Sequence, residues 1–214
     1  MRVIAIPVKS LSRAKTRLAP QLTPIERGAL TLAMLEDILD ATLAVPEWET
    51  WVVSPDEAVL EIAARRRAKP VAEAKAPLSA AVRQVELLAR ESEADALAIL
   101  LGDVALSTTE ALTAALRTLG PVVMARSDDD GGTNLLLRRP IRAIPARFGP
   151  DSFRRHREAA AERDLPVSVV ERPELAFDLD GPEDILTLLS AERPGRARQV
   201  CLEMDVVTRL QRTA

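Results

Sequence analysis

Ala96-Leu97-Ala98-Ile99-Leu100-Leu101-Gly102-Asp103 is the stretch on which the fold turns. A strand with one wet face alternates apolar and polar residues. Ala96–Leu101 does not alternate, which predicts a strand buried on both faces in a largely parallel sheet. Before it, about Leu78 to Glu91 carries a helical pattern. After it, Ser107-Thr108-Thr109-Glu110 caps a helix to about Leu119. Helix, buried strand, helix is the repeating grammar of an α/β domain.

The same grammar extends in both directions. Arg2–Val8 is β-branched and apolar, followed by a polar loop. Thr23-Pro24-Ile25-Glu26 is a capping box with Pro at the first helical position, opening a helix to about Ala44. Trp51–Val53 reads as a short strand, and Ser54-Pro55-Asp56-Glu57 as a capping signal for a helix to about Arg67. Downstream, Pro121–Ala125 and Val167–Val170 read as strands and Asn134–Arg138 as extended. Asp151–Arg163 and Pro182–Ala191 read as helices. Val200–Leu210 is compatible with strand or helix. No repeat or low-complexity linker divides the 214 residues. The expectation is one domain, 1–214: Rossmann-like α/β, a mostly parallel mixed sheet flanked by helices.

Composition narrows the chemistry. Lys+Arg is 29 and Asp+Glu 32, a balance unlike that of a protein coating nucleic acid through bulk charge. There are three Phe, two Trp and no Tyr, too few rings for base-stacking platforms. One His (His156) and one Cys (Cys201) exclude an intrachain disulfide and leave little for a zinc site. No stretch approaches the length of a membrane span, and Met1–Val8 is too short for a signal-peptide core. A soluble cytoplasmic protein with no membrane or nucleic-acid partner is expected, and whatever chemistry it does must rest mainly on Asp, Glu, Arg, Lys, backbone groups and a hard metal.

In open α/β sheets ligands sit beyond the carboxyl ends of the strands. Five segments stand out there or nearby. Pro7–Leu18 holds Lys9, Arg13, Lys15 and Arg17, the forks and point charges that phosphate recognition uses; it also reads as a solvated basic loop. Asp103, ending the buried strand, suits Mg²⁺ beside a nucleotide phosphate or simply caps a turn. Asp128-Asp129-Asp130-Gly131-Gly132-Thr133-Asn134 combines acids, flexible backbone and neutral donors. Gly149-Pro150-Asp151-Ser152 opens a helix whose free N–H groups suit an anion; His156, one turn on, is expected to be a partly buried or solvated helix histidine rather than a catalyst. Asp178 and Asp180 alternate on an extended segment, as a metal pair would, although Asp180 also suits an N-cap.

Together and in register, four of these segments resemble the 2-phospho-L-lactate guanylyltransferase family, which serves biosynthesis of the deazaflavin coenzyme F-420. They are P-V-K-x-L-x-x-A-K-T-R-L at Pro7–Leu18, D-G-G-T-N at Asp130–Asn134, F-G-P-x-S-F-x-x-H at Phe148–His156 and D-L-D-x-P-E-D at Asp178–Asp184. The resemblance implies a fold like the nucleotide-diphospho-sugar transferases. It implies transfer of GMP from GTP to 2-phospholactate, phosphoenolpyruvate or 3-phosphoglycerate, with release of pyrophosphate. Carried over by motif, Lys9, Arg13, Lys15 and Arg17 face the GTP phosphates, with Lys15, Arg17 and Asp103 central to catalysis. Asp103 is a Mg²⁺ ligand with Asp178 or Asp180 as a further one, and Thr133, Gly149 and Ser152 bind the acid. A homodimer is compatible with this reading. Two segments depart from the family. Gly102-Asp103-Val104-Ala105-Leu106-Ser107 replaces G-D-L-P-L-L, and Pro77-Leu78-Ser79-Ala80-Ala81 replaces G-L-N-A-A, a candidate base-recognition loop. The departures keep open a sugar-phosphate nucleotidyltransferase and an inactive binding subunit.

Overall fold

The buried run becomes a central strand, β4 (Ala96–Leu100), with every residue out of water. The structure is a computed structural model and describes residues 1–74, 77–128, 131–191 and 193–213. The other strands are β1 (Arg2–Pro7), β2 (Trp48–Ser54), β3 (Lys69–Ala72), β5 (Val122–Arg126), β6 (Thr133–Arg138) and β7 (Val167–Val169). Among the described residues they form one seven-stranded sheet in the order β3-β2-β1-β4-β6-β5-β7. β1, β2, β3 and β4 are parallel, whereas β6 runs antiparallel to both β4 and β5.

Helices cover both faces. The longest is α1 (Pro24–Leu43); α2 (Glu57–Arg65), α3 (Leu78–Glu91), α4 (Thr109–Arg117), α5 (Ser152–Ala161) and the single turn α6 (Pro173–Ala176) follow. Ile4, Ile6, Ala98, Leu100, Leu135 and Leu137 point to one face and pack under α1, α2, α4 and α6. Val3, Ala5, Leu97 and Ile99 point to the other, under α3. Leu136 and Met124 meet α5 on that side. This two-sided burial is the physical reason the strands are apolar without alternation.

The capping box at Thr23 forms as expected: Glu26 donates its N–H to Thr23 Oγ1, and Glu26 Oε2 accepts from the Thr23 N–H. Thr108 caps α4 through the Ala111 N–H. Asp56 does not cap α2. Its carboxylate accepts the Leu11 N–H at 3.1 Å instead, a tertiary bond that outcompetes the local one. The ambiguous tail is helical, as α8 (Arg196–Glu203) and α9 (Val206–Thr213), following α7 (Pro182–Ser190). Asp37 of α1 caps α8 by accepting from the Arg196 and Ala197 N–H groups at 2.8 and 2.9 Å. No helix among the described residues is long and apolar enough to cross a membrane.

Candidate active site

The strand order reverses between β1 and β4, and the crevice at their carboxyl ends holds most of the singled-out residues. After β1 the chain makes two short 3-10 turns, Leu11–Arg13 and Thr16–Leu18. Between them Lys15 adopts φ +48°, a left-handed conformation that costs a non-glycine residue roughly 1–2 kcal/mol. Tertiary bonds hold it there. Buried Arg27 of α1 donates to the carbonyls of Ala14 and Leu22 at 3.2 and 2.9 Å, stapling the loop to the helix. The Lys15 ammonium lies 3.2 Å from Asp103 Oδ2 and 3.1 Å from Asp180 Oδ1. Arg17 approaches Asp180 at 3.7 Å and stays mostly exposed, as do Lys9 and Arg13. Burial disfavours the charge on Lys15, but the two carboxylates outweigh it and raise its pKa above the ordinary lysine range.

Asp103 follows β4 by way of Gly102. A Cβ on Gly102 would lie 3.0 Å from the Pro7 carbonyl and 3.1 Å from Val8 Cγ2. Only glycine lets the ends of β1 and β4 close this tightly, and that closure seats Asp103 against the basic loop. The Asp103 carbonyl accepts the Leu179 N–H at 3.0 Å, drawing the Asp178–Asp180 segment alongside. Asp178 accepts from Ser127 Oγ at 2.8 Å and Asn134 Nδ2 at 3.0 Å. Burial nonetheless pushes its pKa up to about 6, with Asp103 and Asp180 adding repulsion. Burial acts the same way on Asp180, but Lys15, Arg17 and Lys9 hold its pKa below the usual carboxylate range. Asp180 does not cap α7; Asp184 does, accepting the N–H groups of Asp180 and Gly181 at 2.7 and 2.6 Å.

These carboxylates suit a hard cation. Asp103 Oδ1 is buried and has no hydrogen-bond partner among the described residues. A buried, unpaired carboxylate oxygen is costly unless something positive completes it. Mg²⁺ takes oxygen donors and is usually held by one or two carboxylates plus substrate phosphates. Among the described residues no three acidic, His or Cys side chains converge on one metal position, and the Lys15 ammonium lies between Asp103 and Asp180. The donor set fits an ion shared with a phosphate rather than a closed protein cage.

The crevice opens into a cleft of about 780 Å³. Lys9, Arg13, Lys15 and Asp103 line it toward β1 and β4; Glu73, Pro77 and Leu78 line it toward β3. Thr133, Gly149 and Ser152 form a second group outside this lining. Thr133 opens β6 and Ser152 opens α5; both are buried, and Ser152 Oγ donates to Thr133 Oγ1 at 3.2 Å. Gly149, at φ +112°, makes the turn before α5. The groups are joined through Asn134, next to Thr133 and bonded to Asp178.

His156 is not half-solvated but completely buried, because both ring nitrogens are engaged. Nε2 accepts the Arg147 N–H at 2.8 Å, which places the proton on Nδ1, 3.1 Å from Thr133 Oγ1. Phe148 packs edge-on at 5.3 Å. Burial, reinforced by Arg138, Arg155 and Arg147, pushes the imidazole pKa down to about 3. A neutral ring thus ties the 147–152 turn to β6. Asp129 and Asp130 of the acidic run, including the first residue of D-G-G-T-N, lie outside the described residues. Sequence reasoning missed Glu73, Arg27 and Ser127. Arg27 carries no local signal because its acceptors are loop carbonyls set by the tertiary fold, and Ser127 because its partner Asp178 is 51 residues away.

The family model for CofC-like guanylyl transferases matches residues 1–210. The chain is 40% identical over 205 residues to phosphoenolpyruvate guanylyltransferase of Rubrobacter xylanophilus, covering 92% of this chain and 100% of that one. It is 32% identical over 203 residues to 3-phospho-D-glycerate guanylyltransferase of Colwellia psychrerythraea, covering 92% and 97%. A crystal structure from Desulfovibrio desulfuricans assigned to the nucleotide-diphospho-sugar transferases superposes with TM-score 0.80 at 19% identity, over 98% of each chain. A cytidylyltransferase from Leptospira borgpetersenii superposes with TM-score 0.60 at 14% identity, over 100% and 96%. At such identities the structural likeness speaks for the fold.

Proposed function

Because the chain belongs to the CofC-like guanylyltransferase family, we propose that its cleft binds GTP and joins the GMP moiety to the phosphate of a phosphorylated three-carbon acid. Phosphoenolpyruvate is the first acid to test, on the 40% identical relative; 3-phosphoglycerate and 2-phospholactate follow. The product would enter coenzyme F-420 biosynthesis. The observation that carries the reading is the crevice itself: Lys15 bridges Asp103 and Asp180 between two parallel strand ends, with one Asp103 oxygen unpaired.

The residues suit this chemistry without His or Cys. The acid's phosphate is an ionised oxygen nucleophile, so no strong base is required. It attacks the α-phosphorus in line; the new P–O bond forms as the bond to the β-phosphate breaks, and pyrophosphate leaves. The chain's task is orientation and charge neutralisation. Lys9, Arg13, Lys15 and Arg17 face the triphosphate, and Lys15, already fixed at the strand ends, orients it there. Asp103 with Asp178 or Asp180 would hold Mg²⁺, which supplies further neutralisation of phosphate charge. Thr133 and Ser152, with the backbone at Gly149, bind the acid, and neutral His156 keeps that turn in place. The test incubates the protein with Mg²⁺, GTP and each acid in turn and follows pyrophosphate. Release with GTP and one of the three acids is expected; release only with a sugar phosphate, or with none of these substrates, overturns the reading.

A further inference from the structure

We propose that Glu73 reads the base of the nucleotide, accepting hydrogen bonds from N1–H and the 2-amino group of guanine. The inference rests on the guanylyltransferase reading and deepens it, since the resemblance leaves base recognition to a segment in which the expected Asn is Ser79.

The argument begins with position. The phosphate-facing loop follows β1, and Asp103 follows β4. Glu73 follows β3, two strands beyond β1 on the side away from β4. Neighbouring strands lie about 4.8 Å apart, so Glu73 stands roughly 10 Å across the sheet from the β1 loop. That is about the reach from a nucleotide's phosphates to the far edge of its base. Glu73 and the phosphate-facing residues line one continuous cleft. Between them the walls include Pro7, Val8, Leu78 and Ala81, apolar surfaces suited to a flat ring. In a chain with five aromatic residues and none lining this cleft, edge-on hydrogen bonding must supply the selectivity that stacking does not.

The second observation is that the backbone is fixed while the carboxylate is unengaged. The Glu73 N–H donates to the Ser54 carbonyl at 2.9 Å. On either side, Gln84 of α3 accepts the Ala74 N–H at 3.0 Å and donates to the Ala72 carbonyl at 2.8 Å. Three bonds thus hold the segment between β2 and α3. The carboxylate itself has no hydrogen bond or ion pair among the described residues. Partial burial raises its pKa.

The third is chemical. A carboxylate only accepts hydrogen bonds. Guanine presents two adjacent donors, N1–H and the 2-amino group, that match its two oxygens. Adenine places a lone pair at N1, and hypoxanthine lacks the 2-amino group. A site that hydrogen-bonds a substrate N–H rejects the analogue lacking it.

The test compares wild type, Glu73→Gln and Glu73→Ala with GTP, ITP and ATP at saturating acid, as kcat/KM for pyrophosphate release, and repeats GTP and ITP binding by calorimetry. Wild type is expected to prefer GTP over ITP by about 10- to 100-fold, the range of one charge-assisted hydrogen bond. Both variants should bring that ratio close to one by losing GTP efficiency. Damage to the fold would lower both nucleotides together and leave the ratio unchanged. An unchanged ratio in both variants, or a wild type indifferent between GTP and ITP, overturns the role of Glu73. A wild type inactive with GTP overturns the underlying reading instead.

Discussion

His156 predicts an acid sensitivity that can be worked out in advance. Its pKa in the folded chain is about 3, against an ordinary value of 6.5. As pH falls through 6.5 the unfolded chain takes up a proton that the buried ring refuses until about pH 3. The imidazole's contribution is therefore complete above pH 6.5 and falls by about 1.4 kcal/mol per pH unit below it. By pH 4.5 the loss is about 2.7 kcal/mol. His156→Gln keeps a donor and an acceptor for Thr133 and Arg147 but does not titrate. It should cost about 1–3 kcal/mol at pH 7.5 through imperfect geometry, and by pH 4.5 the wild type's own loss of about 2.7 kcal/mol should close that gap or reverse it. Urea melts of both proteins from pH 7.5 to 4.5 read this directly, because carboxylates common to both cancel in the difference. A difference that stays flat across that range would refute a buried neutral imidazole. The same substitution should raise KM for the acid more than KM for GTP, since His156 supports the turn carrying Gly149 and Ser152.

Three further outcomes follow from named contacts. Asp103→Asn should lower kcat roughly 100- to 1000-fold with the urea midpoint little changed; near wild-type turnover at saturating Mg²⁺ would remove Asp103 from the site. Lys15→Ala should weaken GTP binding about 10- to 100-fold, and an unchanged dissociation constant by calorimetry would count against its phosphate role. Asp37→Ala uncaps α8, so stability should fall by about 1–2 kcal/mol in denaturant melts while turnover per folded molecule is retained; a loss of turnover at full stability would contradict a purely structural role.

Elements whose cause is local were legible in the sequence. The unalternating run at Ala96–Leu101 announced a doubly covered strand, and Thr23 with Glu26 announced the start of α1. The strand-end rule singles out Lys15, Asp103 and Asp180. Their contact itself was not legible, because 88 and 165 residues separate Lys15 from its two partners. Two capping readings mislead for a related reason: the signal at Ser54-Pro55-Asp56-Glu57 gives α2 no side-chain cap because a tertiary donor claims Asp56, and Asp180 yields the cap of α7 to Asp184. His156 looked half-solvated because nothing in its neighbourhood along the chain reveals that Thr133 and the Arg147 N–H occupy both its nitrogens. Glu73 went unnoticed as one acid among 32, distinguished only by the strand it follows.

The central claim is a transfer, and the label that follows it is the α-phosphorus of GTP. With phosphoenolpyruvate, 3-phosphoglycerate or 2-phospholactate and Mg²⁺ present, α-labelled GTP should yield with one of them a labelled product joining GMP to the acid's phosphate, together with unlabelled pyrophosphate in equal amount. Label recovered only as GTP, GDP or free GMP, with none joined to any of the three acids, would contradict the account.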